Sequence, residues 1–435
     1  MSSFTEIATW LKSQFKSIDQ QVNLRERKIH TEDVFYLMCL LITKKCSYQE
    51  AVTSMRVDEF IDKVSAQAFN NRILSGQYVQ PFYQLIHQFT EKFICSPGQE
   101  HIYAVDGSKF NILLTMIKYG FKKFKNRPYT TGLISVLFDL KYNIPVEFQL
   151  STVLDERTLF FNQLTQLKMP NEKPDNTYKY TSDIFIFDRG YYSEEMVNKI
   201  YSLFQNCIFR VKNNLRLVKQ LDQSGSDDMI TNLNGRQMRI VKYTLQTPPE
   251  IHPKNSSSNK IVLRLKNPIC KRKMATYYLI TSLTDVNQYP VSKLKELYHR
   301  RWSVEEYYKK IKRNFISGTF HSRCMTSLET ELLVQQLINL LTRYFLNHIE
   351  QYEKYPVNQK ITNNIVIEKI LPIIIYKSSD TAINKKINNI LSILGENVVP
   401  IRPGRSFKRI KLLPISKHIY QENKYSSGHR ETVTT

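Results

Sequence analysis

Apolar positions recur along this chain at two different spacings, and the change from one to the other marks its organisation. From Phe4 to Phe15 they fall at Phe4, Ile7, Trp10, Leu11 and Phe15, one face of a helix. Thr31 to Lys44 reads as a buried helix, Ser47-Tyr-Gln-Glu50 fits a capping box that opens another, and Ser65 to Leu74 and Gln80 to Cys95 continue the helical pattern. Ser96-Pro97-Gly98 breaks it. At Ile102 the pattern becomes that of strands. Ile102 to Phe110 holds a short apolar strand read as ending at Asp106-Gly107, and Leu133 to Leu140 and Pro145 to Leu150 form a hairpin across Lys141-Tyr-Asn. Asp155 to Lys168 is a predicted helix. Ile184-Phe-Ile-Phe is an all-apolar strand ending in Asp188-Arg-Gly, Ser193 opens a helix to about Phe204, and Cys207 to Val211 is one more strand. This succession predicts a mixed α/β sheet with helices packed on it.

The stretch from Asn213 to about Thr284 is too long for a simple connection. Gln220 to Asp228 and Gln246 to Asn259 read as polar loops, and Gln237 to Leu245, Lys260 to Leu265 and Ala275 to Leu283 as strands. Together they predict a β-rich insertion. Leu297 to Phe315 contains no Gly or Pro and reads as one helix. Helices follow over Leu328 to Tyr352, Ile365 to Tyr376 and Thr381 to Leu394, then a basic Pro/Gly segment from Ile401 and a polar end from Glu422 read as disordered.

Composition narrows the partners. Lys and Arg number 62 against 39 Asp and Glu, a formal charge of +23, which favours a polyanion such as nucleic acid. The 23 Phe and 26 Tyr argue for a folded chain. Six scattered cysteines form no CxxC pair, so a zinc ribbon is not expected, and they read as reduced. The N-terminal residues lack the pattern of a signal peptide, and the longest apolar run, Val34 to Ile42, is far short of the ~20 residues of a membrane span. No Walker-type phosphate loop is present, so no nucleotide cofactor is expected.

The candidate chemistry centres on the helix at 297–315. At about 100° per residue, Tyr298, Arg301, Glu305 and Lys312 share an arc of about 60°. One carboxylate among an arginine, a lysine and a phenol suits a metal-binding acid held next to phosphates. The same stretch also reads as a basic amphipathic surface helix. Asp106 and Asp188, each after an apolar strand, stand where α/β sheets place ligands. Carboxylates with no His or Cys motif point to hard cations such as Mg²⁺ or Mn²⁺. Adjacent Glu306, about 100° round the helix, points away. Trp302 reads as a core residue, with stacking on a displaced base as the other possibility.

Tyr298-x2-Arg301-x3-Glu305-x6-Lys312, with Asp106-Gly-Ser and Asp188-Arg-Gly-Tyr upstream, resembles the signature of DDE transposases of the insertion sequence 4 (IS-4) type. The resemblance implies a ribonuclease H-like mixed sheet with flanking helices, an inserted β-rich subdomain, and helical N- and C-terminal regions. It divides the chain into 1–97 (helical, for DNA binding or support), 98–325 (catalytic, with the insertion at about 213–284), 326–400 (helical) and 401–435 (basic tail). It implies Asp106, Asp188 and Glu305 as catalytic ligands of two divalent cations, Mg²⁺ or Mn²⁺, for in-line phosphoryl displacement by water or a DNA 3′-hydroxyl. Tyr298, Arg301 and Lys312 would contact phosphates or bases. Arg189, Lys212, and Arg405 and Arg409 of the tail are further DNA-binding candidates, as is the basic–aromatic run Lys118 to Arg127. The implied partners are double-stranded DNA, both transposon ends and target, and a second copy of the chain in the DNA complex. The implied location is a bacterial cytoplasm or a nucleus. A metal-dependent nuclease or resolvase of the same fold and a domesticated DNA-binding protein are the alternative readings.

Overall fold

The computed structural model describes residues 4–22, 29–44, 46–94, 100–124, 129–166, 183–203, 206–247, 273–314, 322, 324–350, 359–376 and 380–396. Five helices open the chain: α1 (Phe4–Gln21), α2 (Thr31–Lys44), α3 (Tyr48–Val57), α4 (Ala66–Leu74) and α5 (Val79–Phe89), the last running into a π-helical turn at Thr90–Ile94. The expected capping box is formed: Ser47 Oγ accepts from the Glu50 N–H while Glu50 Oε2 accepts from the Ser47 N–H at 2.6 Å. Ser65 caps α4 more simply, its Oγ accepting from the Ala68 N–H with no return bond from a side chain.

The sheet strands are β1 (Ile102–Ile112), β2 (Lys122–Lys123), β3 (Thr130–Asp139), β4 (Ile144–Ser151), β5 (Ile184–Phe187), β6 (Asn206–Val211), β7 (Asp228–Leu233), β8 (Arg236–Thr247) and β9 (Lys273–Thr281). Helices α6 (Glu156–Gln166), α7 (Glu194–Ser202) and α8 (Arg216–Ser224) lie between them in sequence. β1, β3 and β4 form an antiparallel meander; β5 and β6, each reached through a helix, run parallel to β1. The central order β4-β3-β1-β5-β6 is the ribonuclease H-like arrangement that the resemblance implies.

Strand alternation divides the core. Ala104, Val136, Phe138, Ile184, Ile186 and Ile208 face one way, into a core shared with the N- and C-terminal helices. Val105, Leu137, Phe185, Phe187 and Phe209 face the other way, against Phe160, Val197 and Ile200 of α6 and α7. Phe187 and Phe209 stack at 4.5 Å.

Two features of the segment after β6 differ from the sequence reading. Gln220 to Asp228, expected as a loop, begins with the second half of helix α8, which buries only Val218 and Leu221, and ends on the first residue of β7; so short a buried stripe is easily mistaken for a polar tract. The β-rich segment adds its strands to the main sheet, in the order β6-β9-β8-β7, and buried Arg239 pins it with a bidentate bond to Asp228 and a bond to the Tyr289 carbonyl. Gln246 and Thr247 of the loop expected next close β8, and the rest of that loop, with Lys260 to Leu265, lies outside the described residues.

The remaining helices are α9 (Val291–Arg300), α10 (Trp302–Asn314), α11 (Met325–Glu350), α12 (Gln359–Ile365), α13 (Leu371–Tyr376) and α14 (Asp380–Gly395), with a π-helical turn at Val366–Ile370. α11 packs on α2, α4, α5 and α14 and on β4, so the terminal helical regions and the sheet share one core. Cys39 and Cys207 are buried, and Cys46 and Cys324 are half-buried. No helix among the described residues is long and apolar enough to cross a membrane.

At the start of β1, His101 Nδ1 lies 2.6 Å from Oδ2 of fully buried Asp139, whose Oδ1 accepts from the Lys141 and Tyr142 N–H groups of the hairpin. The hydrogen bond to Asp139 raises the His101 pKa above its ordinary 6.5, against the opposing effect of burial. The folded state therefore holds this proton more tightly than the unfolded chain. The stability it confers is complete below the ordinary value and is lost as pH rises through the raised one. A His101→Asn variant should melt several degrees below wild type at about pH 5.5, with the gap narrowing as pH rises through the raised value. A gap that does not change with pH in thermal melts would contradict the charged pair.

Candidate active site

The register between β1 and β5 pairs Val105 with Phe187, and parallel pairing stops there. The next residue on each strand is an aspartate. Asp106 and Asp188 thus leave the pairing at the same level, about one strand spacing, ~5 Å, apart. β1 does not end at Asp106-Gly107 as the sequence reading had it. It continues to Ile112 because β3 pairs with it all the way. An Asp-Gly pair suggests a turn, but here the glycine sits in mid-strand for another reason: a Cβ on Gly107 would stand 2.6 Å from Cγ of Glu156.

The stretch expected as one helix is two, joined at Arg301. The Arg301 N–H bonds the Tyr298 carbonyl and the Val304 N–H bonds the Arg301 carbonyl, each at 3.1 Å, so the junction is tightened to three-residue bonds. Tyr308 fastens α10 to the sheet by donating to the carbonyls of Asp106 (2.8 Å) and Ile134 (3.0 Å). Despite the joint, the four residues of the expected arc come together. Arg301, 5% exposed, reaches Glu305 Oε1 at 2.6 Å and Asp106 Oδ2 at 3.8 Å and also acts electrostatically on Asp188. Tyr298 donates to Asp188 Oδ1 at 3.1 Å. Lys312 donates to Ser108 Oγ at 2.7 Å and lies over the Phe110 ring.

The two aspartates are placed differently. Burial pushes the Asp106 carboxyl up to about 7; Arg301 opposes the rise, and Glu156 and Glu305 add to it. Burial also acts on Asp188, but Arg301, the Arg189 backbone N–H, Arg210 and the Tyr298 hydroxyl together outweigh it and hold this carboxyl below its ordinary range. Burial lowers the Lys312 pKa, and Asp106 acts against that fall. Arg210 on β6, 3.7 Å from Asp188 Oδ1 and stacked on Tyr277, was missed by the sequence reading. Its signal was available: it is the one cation inside the apolar run Cys207 to Val211, on a strand next to β5.

Arg189 and Lys212 are exposed, and neither side chain bonds a carboxylate of the site among the described contacts. Lys118 and the two residues of β2 begin the basic–aromatic run, whose positions 125–127 lie outside the described residues, as do Arg405, Arg409 and everything after residue 396. Trp302 is not a core residue. It is 38% exposed, its Nε1 donates to Glu306 Oε1 at 3.0 Å, and Lys309 lies over its ring, because the turn at Arg301 carries it outward. Glu306 points away from the carboxylates, as expected, and pairs with Lys309.

The donors are all hard oxygens, which suit a divalent cation of the Mg²⁺ or Mn²⁺ kind. A cationic group already lies where they converge, since the Arg301 guanidinium is among the three acids. Among the described residues no three His, Cys, Asp or Glu side chains close on one point. The acids suit such an ion in donor type and charge, with Arg301 as their present counter-charge, but among the described residues they are not closed around a single ion position.

Residues 97–341, more than half of the chain, match the family model of the transposase DDE domain. The transposase InsG for insertion sequence element IS4 of Escherichia coli is 28% identical over 185 residues, which cover 42% of this chain and 38% of that relative. The chain is thus matched to well under half of that relative's length. Among solved structures, that of a piggyBac transposase synaptic complex with hairpin DNA is 12% identical, covering 91% of this chain and 84% of that chain at a TM-score of 0.45. The family match contains Asp106, Asp188 and Glu305 and the sheet that carries the two aspartates, and by it the chain belongs to the transposase DDE domain family.

Proposed function

We propose that this chain is a DNA transposase that cleaves transposon ends and joins them to target DNA, with Asp106, Asp188 and Glu305 as its catalytic carboxylates. The observation that carries the reading is the shared level of Asp106 and Asp188 on parallel strands, with one buried guanidinium spanning both of them and Glu305. Domains of this family generally act with divalent metal ions. In this reading two such ions, Mg²⁺ or Mn²⁺, held by the three carboxylates, supply the Lewis acidity that phosphoryl transfer requires.

The chain's own groups do the positioning. Tyr298 and Arg210 hold Asp188 ionised and fixed. Arg301 orients Glu305 and offsets the mutual repulsion of the carboxylates. Lys312, tethered to Ser108 two residues beyond Asp106, is placed to meet a phosphate beside the scissile one. The excess of cations over the whole chain suits a DNA duplex as partner. Two ends must be brought together for transposition, so the working complex holds two copies of the chain.

Purified protein, incubated with a DNA fragment carrying the sequence that flanks its gene, should cut at a fixed position with Mg²⁺ or Mn²⁺. The cut should disappear with chelator and in Asp188→Ala, and joined products should appear when target DNA is supplied. Cut ends without joining would make the chain a nuclease, and binding without cutting in wild type and variant alike would leave a DNA-binding protein.

A second expectation follows from the buried guanidinium. Arg301→Ala leaves the acids without their main counter-charge and should lower stability by about 2–4 kcal/mol in denaturant unfolding. Arg301→Lys should recover part of this, since an ammonium restores the charge but not the forked geometry. An Arg301→Ala protein as stable as wild type would sink the central role given to this side chain.

A further inference from the structure

The helix that carries Glu305 and Lys312 is not aimed by its neighbour in the chain. α9 and α10 are separate helices that meet in a turn at Arg301, so the direction of α9 does not set that of α10. Contact with the sheet must set it, and one side chain stands at the centre of that contact. Glu305, Tyr308 and Lys312 lie at i, i+3 and i+7 and so share one side of α10. At ~1.5 Å of rise per residue, Tyr308 lies ~4.5 Å along the axis from Glu305 and ~6 Å from Lys312.

Tyr308 meets the sheet at a particular point. Its ring is buried and tilted against Phe110 at 6.2 Å, and Phe110 in turn lies under Lys312. Its hydroxyl donates to the carbonyls of Asp106 (2.8 Å) and Ile134 (3.0 Å). In the register of β1 and β3, Gly107 stands opposite Ser135, and these two carbonyls belong to the residues just before each. One hydroxyl thus spans two strands, and one of its acceptors is the main chain of Asp106 itself. A carbonyl carries two lone pairs, so the bond is made without taking Asp106 out of the sheet. Lys312 makes a second tie, to Ser108 Oγ two residues further along β1. Neighbouring Tyr307 is also buried but points elsewhere, its hydroxyl donating to Gln336 Oε1 of α11 at 2.6 Å. Burial, with Asp106 adding to it, pushes the Tyr308 pKa far up, so the hydroxyl stays a donor throughout the neutral range.

We propose that Tyr308 is a positioning residue for the reaction: its hydroxyl fixes α10 on the backbone of Asp106 and thereby sets the distance of Glu305 from the two aspartates. This rests on the assignment of the three carboxylates above. The ring alone would bury the same apolar surface; the hydroxyl adds a direction. A misplacement of about 1 Å is enough to slow a positioned reaction about 100-fold.

The test compares Tyr308→Phe with Tyr307→Phe, each of which removes one buried hydroxyl and keeps its ring. Cutting of the DNA fragment described above by the full chain is followed at saturating DNA, at a temperature where thermal melts show every protein folded. Tyr308→Phe should cut about 10- to 100-fold more slowly than wild type and need about 10-fold more Mn²⁺ for its half-maximal rate. Its affinity for the DNA, measured in chelator, should stay that of wild type. The loss should be the same factor across the neutral pH range, where the hydroxyl does not titrate. Tyr307→Phe should melt lower than wild type but cut at close to its rate. Should Tyr308→Phe fail to fold, Tyr308→His, polar but too short to reach both carbonyls, takes its place with the same expected losses. A wild-type rate and Mn²⁺ requirement in a folded Tyr308 variant, with cutting lost in Asp188→Ala, overturn this proposal alone. An equal loss in Tyr307→Phe also overturns it, because general loosening of α10 would then be sufficient. No metal-dependent cutting by the wild type overturns the carboxylate assignment with it.

Discussion

Four residues of parallel pairing, Ile102–Val105 against Ile184–Phe187, decide where the acids of this protein stand. Both segments are apolar enough to be buried on both faces, which is the demand a parallel pair makes on sequence. The pairing ends on each strand at the residue before an aspartate. A shift of the register by one residue would put Asp106 and Asp188 on opposite faces of the sheet, and no adjustment of α9 or α10 would reunite them. The aromatic contacts of Phe187 with Phe160, Phe209 and Tyr191 oppose such a shift.

Gathering acids costs free energy, and the surroundings show how the cost is met. Arg301 is nearly enclosed and reaches every acid of the proposed triad, while Arg210 and Lys312 flank it on β6 and α10. The result is a division of labour between two like residues. Asp188, facing several donors and cations, is held as the anion; Asp106, more buried and beside Glu156, has the higher proton affinity. One residue type, at equivalent positions on adjacent strands, thus acquires two characters from its neighbours.

Much of this was legible in the chain. Strands and helices of the catalytic region follow from apolar spacing, the capping box at Ser47 from its four residues, and the arc of Tyr298, Arg301, Glu305 and Lys312 from helical geometry. What sequence could not give depends on contacts between distant segments. The turn at Arg301 has no Gly or Pro to announce it. The length of β1 is set by β3, not by its own Asp-Gly. Helix α8 shows only two buried apolar residues, too few to stand out from a polar tract. Glu156 comes within reach of Asp106 only because a meander and a helix fold back between them, and nothing in the local sequence reports that return.

The shared core of the terminal helices has a consequence for how the protein is made. The Phe4 ring packs on Phe345, Asn384 donates to Thr5, and α1 contacts α13 and α14. Helix α1 packs early on α2 and α5 but completes its packing only when the chain has been extended through α14. Until then only the part of its apolar face that α2 and α5 cover is shielded on the nascent chain. Contacts so distant in sequence slow folding and favour a late, concerted closure over assembly piece by piece. The central sheet is therefore backed on one side by helices that precede it and helices that follow it in the chain, and a product cut short before α11 should be an aggregation-prone fragment.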